Sequence, residues 1–405
     1  MDEERKMSRF DEVIERKDTD SEKYDFPERF GGDAQAIPMW VADMDFRAPD
    51  AVVEAVRKKA EYGIWGYSEA RKGYYENVIS WFKKRHNWEP QREWIVKTPG
   101  VIFALSAAVK ALTEPGDAVL IQQPVYHPFV NCIVHTGRRL VNNELVLNSG
   151  RYEMNLEEME ELIRREKVKL FLLCNPHNPV GRVWTREELK RVDDLCARYG
   201  VFVVSDEIHA DFVYPGHKYI SYVSLSEETA GRCMVCTSPS KTFNLAGLQV
   251  SNIFVPDEAR RKAFEKELYL TGYEELNVFA LTACQAAYEA GGPWLDELLV
   301  YLQGNLDTIR SFLSGHLPEI EVIRPEGTYL LWLDFTRFAA ARGWKEEELM
   351  DFLLHRAHVW LSPGSGFGAS KGLFMRLNMA CPRSTIQRAL KQLLEAAEKE
   401  TTGKG

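Results

Sequence analysis

Ser238-Pro239-Ser240-Lys241-Thr242-Phe243-Asn244 follows Arg232-Cys233-Met234-Val235-Cys236-Thr237, a short run with a mainly apolar centre. That run reads as a buried strand, so Lys241 stands just past a strand's C-terminal end. A lysine there is poorly placed for packing but well placed for chemistry, because open parallel sheets bind ligands outside the carboxyl ends of their strands. Its amine can form a Schiff base with an aldehyde, and the hydroxyls of Ser238 and Ser240 can donate to a phosphate. Two rival readings compete with this one. Ser238 and Lys241 also fit a Ser-x-x-Lys acyl-enzyme motif, but its companions Ser-Asp-Asn and Lys-Thr-Gly are absent from the chain. A solvated loop lysine is the default for an isolated match, so the flanking chain decides.

Upstream of this stretch, strands and helices alternate, which predicts an α/β fold with a mostly parallel sheet. Ala118-Val119-Leu120-Ile121 precedes Gln123-Pro124-Val125-Tyr126, and Lys169-Leu170-Phe171-Leu172-Leu173-Cys174 precedes the turn-rich loop Asn175 to Gly181. Val201-Phe202-Val203-Val204-Ser205 runs into Asp206 and Glu207, and Thr185 with Glu188 makes a capping box for the helix before it. Tyr126, Asn178, Asp206 and Lys241 therefore all fall at C-terminal strand ends of one sheet. An amine for an aldehyde and hydroxyls for a phosphate are both needed by pyridoxal phosphate. In that setting Asp206 reads as the partner of a pyridinium nitrogen, Asn178 as a donor to the ring oxygen and Tyr126 as a stacking ring. The plainer alternatives are a helix cap or ion pair for Asp206 and ordinary turn or core roles for the other two. Thr98-Pro99-Gly100 opens a helix from Val101 to Leu112, whose first N–H groups can receive a phosphate.

The outer parts of the chain are less regular. Residues 1 to about 35 read as an arm with one short amphipathic helix around Phe10, Val13 and Ile14. The segment Ile37 to Phe46 is apolar but carries Asp43 and Asp45. After Phe254 come helices at 257–269, 278–290 and from Pro293 to about Leu313, the last expected to link two domains. Short strands follow around 321–323, 329–333, 359–361 and 374–378, then a final helix over 384–398, with 400–405 expected to fray. The expected division is 1–48 for the arm and part of a small domain, 49–290 for a large cofactor domain, and 291–405 for a linking helix and small domain. Arg376, inside an apolar strand, is either a structural ion pair or a bidentate clamp for a substrate carboxylate.

Composition narrows the function. With 51 Lys and Arg against 60 Asp and Glu, the net charge is -9, and no basic block is present, which argues against nucleic acid as a partner. The charged opening Met1 to Lys6 and the lack of any long apolar stretch predict neither signal peptide nor membrane span. Seven cysteines fit reduced thiols in the cytoplasm. Cys233 and Cys236 read as buried small hydrophobes, and no histidine spacing suggests a metal site.

The order Asn-Pro-His-Asn-Pro-x-Gly (175–181), Ser-Asp-Glu-Ile-His (205–209), Ser-x-Ser-Lys (238–241) and Arg-x-Asn (376–378) resembles fold-type I pyridoxal-phosphate enzymes of the class I and II aminotransferase family. Pro38 to Phe46 and Trp65-Gly66-Tyr67 look like the cystathionine β-lyase and cystalysin branch of that family. The resemblance implies that Lys241 carries the cofactor as a Schiff base and that Asp206 meets its ring nitrogen. It implies that Asn178 and His209 lie against the ring oxygen side, with Tyr126 stacked. Gly100, Val101, Ile102, Ser238 and Ser240 bind the phosphate, joined by Tyr67 of a neighbouring subunit in a homodimer with a shared site. Arg376 takes the α-carboxylate of an amino-acid substrate, with Asn178 and Tyr126 also on the substrate side. Two departures from the aminotransferase pattern stand out: His209 replaces a tyrosine, and Gln249 replaces a phosphate-binding arginine. The implied activity is β-elimination from S-substituted cysteines. An aminotransferase is the main alternative, and a cofactor-binding regulator a remote one that lacks the basic helix-turn-helix it would need.

Overall fold

A computed structural model describes residues 8–402, and the chain divides into two compact units. The larger comprises Ala48–Leu295 together with Glu326–Thr328. The other comprises the residues up to Arg47, Asp296–Pro325 and the chain from Tyr329 onward.

The larger unit begins with helices α1 (Asp50–Tyr62) and α2 (Lys72–His86). Strand β1 (Ile95–Thr98) then leads into α3 (Val101–Leu112), and β2 (Ala118–Ile121) is followed by β3 (Arg139–Asn142). Helix α4 (Leu156–Glu166) precedes β4 (Leu170–Cys174), and α5 (Arg186–Tyr199) precedes β5 (Phe202–Asp206). Next come β6 (Cys233–Thr237), the single turn α6 (Pro239–Thr242) and β7 (Ser251–Phe254). Helices α7 (Glu258–Leu270) and α8 (Val278–Ala290) complete the unit.

Seven strands form one sheet in the order β1-β7-β6-β5-β4-β2-β3. Only β7 runs antiparallel to its neighbours. The inner strands are buried at every position and mainly apolar, with polar residues only toward their C-terminal ends, as expected where helices cover a parallel sheet. Ala104, Leu105 and Ala108 of α3 are fully buried in the cluster that holds Val119, Leu172, Val204 and Met234. A leucine or valine buried there contributes about 1.5–3 kcal/mol. Helix α5 starts where its capping box predicts: Thr185 Oγ1 accepts from Glu188 N–H at 3.1 Å, and Thr185 N–H donates back to the Glu188 carboxylate at 2.8 Å.

In the smaller unit, helix α9 (Gly292–His316) starts just before the unit boundary. It is followed by β8 (Glu321–Val322), β9 (Leu330–Asp334), β10 (Ser362–Pro363), β11 (Phe374–Asn378) and helix α10 (Arg383–Thr402). The four strands form an antiparallel sheet, β8-β9-β11-β10, in which Trp332 pairs with Arg376 across the strands. The Trp332 ring stacks on Phe374 at 5.3 Å, and the Arg376 guanidinium lies over Phe367 at 4.7 Å.

Two expectations need correction. No amphipathic helix forms around Phe10: Arg9–Asp11 is a single 3-10 turn, and Val13 and Ile14 are exposed. Phe10 alone finds partners, the rings of Phe46 at 5.0 Å and Tyr301 at 5.5 Å, while Glu15 ties up the next two backbone N–H groups with its own carboxylate. The final helix runs on to Thr402, with Glu400 held by Arg356 at 2.6 Å, rather than fraying from 400. Glu326–Thr328 join the larger unit because Glu326 is ion-paired to Arg182 at 2.8 Å and Arg151 at 2.7 Å. Residues 1–7 of the arm and 403–405 lie outside the described residues. Among the described residues, no helix is long and apolar enough to cross a membrane.

Candidate active site

Four adjacent parallel strands, β6, β5, β4 and β2, point their C-termini the same way, so the loops after them converge at one edge of the sheet. Lys241 stands four residues after β6, in α6. Asp206 is the last residue of β5. Asn178 follows β4 by four residues, and Tyr126 follows β2 by five. The loops are tied together directly. Tyr126 N–H donates to Asn178 O at 3.2 Å, and His177 Nε2 meets Pro124 O at 2.8 Å. Burial lowers the His177 pKa to about 4, so at neutral pH its ring is uncharged and the nitrogen facing Pro124 carries the proton.

Asp206 is 4% exposed, and its Oδ1 accepts a 3.1 Å bond from Ile208 N–H. Burial, with the charge of Glu207 beside it, lifts its pKa to about 7, against the pull of Lys241. A carboxyl in this condition takes either a proton or a cationic partner. Glu207 faces the other way, into a buried cage formed by Ser205 Oγ at 2.8 Å, Ser221 Oγ at 2.6 Å, Tyr222 N–H at 2.8 Å and the Tyr219 hydroxyl. Burial pushes its pKa up even so. His209 is buried one turn after Asp206, its ring 6.4 Å from Phe212.

The turn that carries Lys241 is pinned on both sides. Ser238 caps it: its Oγ accepts from Ser240 N–H at 3.0 Å, donates to Val250 O at 2.6 Å and lies 2.7 Å from Ser240 Oγ. Thr242 Oγ1 donates to Asp211 Oδ2 at 2.6 Å, and His86 Nε2 lies 2.9 Å from Asp211 Oδ1. Burial works against the Asp211 charge, but His86 and Thr242 outweigh it and hold the carboxyl below its ordinary range. The loop bearing Asp206 and the turn bearing Lys241 are thereby stapled together. Gly100 caps α3, and a Cβ added to it would meet nothing within 4 Å, so the first N–H groups of that helix open onto free space. Gln249 is exposed in a left-handed conformation at φ 55°. Tyr67 is fully exposed in an aromatic loop with Ile64 and Trp65.

Arg376 belongs to the smaller unit. It is buried on β11, where its Nη2 donates to Trp40 O at 2.7 Å. Two residues on, Asn378 Nδ2 donates to Val41 O at 2.6 Å and Asp43 O at 2.5 Å.

The sequence reading did not single out His177, Asp211, His86 or Thr242. His177 sits inside the Asn-Pro-His-Asn run and Thr242 next to Lys241, so proximity was the one signal available. Nothing local marks His86, 125 residues before Asp211.

Residues 37–393 match the family model for aminotransferases of class I and II. Over 387 residues the chain is 44% identical to cystathionine β-lyase PatB of Bacillus subtilis strain 168, covering 96% of this chain and 99% of that one. It superposes with a TM-score of 0.92 on a pyridoxal-phosphate-bound protein of Clostridium difficile 630, provisionally described as an aminotransferase, at 39% identity over 96% and 99% of the two chains. Cystalysin of Treponema denticola, solved with pyridoxal phosphate, superposes at 0.91 with 34% identity over 96% and 98%. The chain has the fold of these pyridoxal-phosphate-bound, fold-type I proteins. The chain belongs to the class I and II aminotransferase family.

Proposed function

We propose that this chain is a pyridoxal-phosphate-dependent C–S β-lyase that cleaves cystathionine, cysteine or related S-substituted cysteines to a thiol, pyruvate and ammonia. One observation carries the reading. Four neighbouring strands deliver Tyr126, Asn178, Asp206 and Lys241 to one sheet edge, in a chain 44% identical to a cystathionine β-lyase. The residues fit the cofactor on chemical grounds. The buried Asp206 carboxyl, with its pKa near 7, needs a proton or a cation beside it, and a pyridine nitrogen that shares its proton satisfies it. The open N-terminus of α3 and the Ser240 hydroxyl suit a phosphate, and Ser238, which gives its proton to Val250 O here, would turn its hydroxyl to join them.

When bound, pyridoxal phosphate supplies a conjugated ring that accepts the electron pair left on the substrate Cα. Asp206 would hold a proton at the ring nitrogen, Asn178 and His209 would face the ring oxygen, and Tyr126 would cover the ring. The N–H groups of Gly100, Val101 and Ile102 and the hydroxyls of Ser238 and Ser240 would hold the phosphate. Lys241 Nζ would be the amine that holds the cofactor and, when free, the general base for the substrate Cα proton. Arg376 grips the α-carboxylate through its planar fork. A thiolate on Cβ leaves with the electron pair of the Cβ–S bond, and hydrolysis of the remaining three-carbon fragment gives pyruvate and ammonia.

The same reading makes the enzyme a homodimer with shared active sites. Ile64, Trp65 and Tyr67 lie exposed in one loop, more apolar surface than a solvated loop needs, and Tyr67 would reach a partner's phosphate. It also places the enzyme in the cytoplasm, where its seven unpaired cysteines would stay reduced. The second reading, an aminotransferase, draws on the Clostridium difficile neighbour. A turnover assay separates them. Cystathionine without added keto acid should give pyruvate and ammonia in equal amounts over many turnovers. Turnover that stops after one equivalent and resumes only with a keto acid would make the enzyme an aminotransferase.

A further inference from the structure

Trp40-Val41-Ala42-Asp43-Met44-Asp45-Phe46 carries two carboxylates that none of the roles above uses. Both are spoken for by cations of the arm. Lys23, 2% exposed, places Nζ 2.9 Å from Asp45 Oδ2 and 3.5 Å from Asp43 Oδ1. Arg16 forks across the same pair, Nη1 at 2.6 Å from Asp45 Oδ1 and Nη2 at 2.7 Å from Asp43 Oδ2. Arg16 Nη1 also donates to Met44 O at 3.3 Å, and the Tyr24 hydroxyl donates to Asp45 Oδ2 at 3.0 Å. Two cations and two anions balance. Burying them is nonetheless an inefficient way to stabilise a fold, because apolar side chains of similar volume do as well or better. What such a cluster does supply is a fixed geometry for the backbone between its members.

That backbone is the one to which Arg376 is tied. On its other side Trp40 O accepts from Arg376 Nη2, Val41 O and Asp43 O accept from Asn378 Nδ2, and Ala42 O accepts from the Tyr329 hydroxyl at 2.9 Å. The carbonyl that orients the Arg376 guanidinium thus lies three residues from a carboxylate clamped by Arg16 and Lys23. We propose that Arg16 and Lys23 are positioning residues for substrate-carboxylate recognition, acting through Asp43, Asp45 and the Trp40 carbonyl on Arg376. The proposal rests on the reading of Arg376 as the residue that takes the α-carboxylate. It makes the arm a determinant of affinity for α-amino acids without contact between arm and substrate.

The test uses holoenzyme carrying Arg16→Met, Arg16→Lys, Asp43→Asn, Arg376→Lys and the double substitution Arg16→Met with Arg376→Lys. Steady-state kinetics on cystathionine are combined with spectroscopic titration by an unreactive amino acid and by the matching amine that lacks the carboxylate. Arg376→Lys should raise KM about tenfold or more, since an ammonium cannot reproduce the fork. Arg16→Met and Asp43→Asn should each raise KM and the amino-acid Kd about three- to tenfold, with kcat, cofactor content and amine Kd within about twofold of wild type. Arg16→Lys, which keeps the charge, should recover part of the loss. The double variant should bind the amino acid within about twofold of Arg376→Lys alone, because effects routed through one contact do not add. A tenfold effect of Arg376→Lys with no KM change in Arg16→Met or Asp43→Asn overturns the proposal and leaves the Arg376 reading standing. Effects that multiply in the double variant, or an equal loss of amine binding, also overturn it. An Arg376→Lys enzyme with unchanged KM overturns the Arg376 reading itself. Should Arg16→Met not fold, Asp43→Asn decides on the same criteria.

Discussion

Replacing Asp206 with asparagine should stabilise the cofactor-free protein while abolishing most of its chemistry, and the stabilisation should grow with pH. The carboxyl is buried at the end of β5, and burial together with Glu207 lifts its pKa from 3.8 to about 7. An acid whose folded pKa lies above its unfolded value binds its proton more tightly in the native state. It therefore costs nothing below the unfolded pKa and destabilises progressively as pH rises toward the folded one. At about 1.36 kcal/mol per unit, the cost above pH 7 is on the order of 4 kcal/mol. Asparagine keeps the shape and the acceptor for Ile208 N–H but is neutral throughout. Urea unfolding of cofactor-free wild type and variant at about pH 5 and about pH 8 should show the variant ahead, by about 2–3 kcal/mol more at the higher pH. A gap that is the same at both pH values would refute the claim that a strained charge sits at this position. A variant holoenzyme that keeps more than about a tenth of wild-type turnover would refute the role of Asp206 on the ring nitrogen.

Thr242→Val removes the hydroxyl that bonds Asp211 without changing shape. It should cost about 1–3 kcal/mol in apoprotein stability and weaken cofactor binding several-fold, with Thr242→Ser close to wild type; equal cofactor affinity in all three proteins would show that the staple does not set the position of Lys241. Glu326→Ala leaves the fully buried Arg182 without its 2.8 Å partner and should destabilise by about 3–5 kcal/mol in urea unfolding; a change under about 1 kcal/mol would mean that Glu188 alone suffices. Mixed dimers of inactive Lys241→Ala and inactive Tyr67→Ala subunits should regain part of the activity, and verified hybrids that remain inactive would remove Tyr67 from the partner's site.

The central strands were legible because buried parallel strands are mostly apolar, as in the runs at 170–174 and 233–236. The antiparallel strand β7 was not. Its Ser251 and Asn252 are polar yet wholly buried, and Asn252 is satisfied by partners distant in sequence: the Tyr74 hydroxyl at 2.8 Å, Thr237 Oγ1 at 2.7 Å and Cys284 Sγ at 3.5 Å. The same limit governs the site. Lys241 and Asp206 announce themselves by standing at strand ends, where a charged residue needs a reason. Arg182 and Glu326 are separated by 144 residues, and each alone looks like a surface charge until the fold brings them to 2.8 Å. The two aspartates of the 40–46 segment were visible as an anomaly in an apolar run, but their partners Arg16 and Lys23 lie in an arm with too few apolar positions to show where it packs.

The two departures from the aminotransferase pattern bear on which reaction the scaffold favours. Gln249 is neutral and exposed where an arginine is otherwise expected, so no cation at this position balances the charge of a phosphate. In the proposed site, anchoring would rest on neutral donors, the N–H groups at the start of α3 and the hydroxyls of Ser238 and Ser240, each weaker than a guanidinium. A transaminase must hold its aminated cofactor without a covalent link until a keto acid arrives, and it relies on the phosphate anchor throughout that wait. A lyase restores the bond to Lys241 at the end of each turnover, so weaker anchoring costs it little. The staple from Thr242 through Asp211 to His86 has the same bias, since it fixes the lysine turn on which a lyase depends in every cycle. Through Thr242, Asp211 and His86 the turn that bears Lys241 is held to the loop that follows Asp206, and that is the anchor a lyase uses in every turnover.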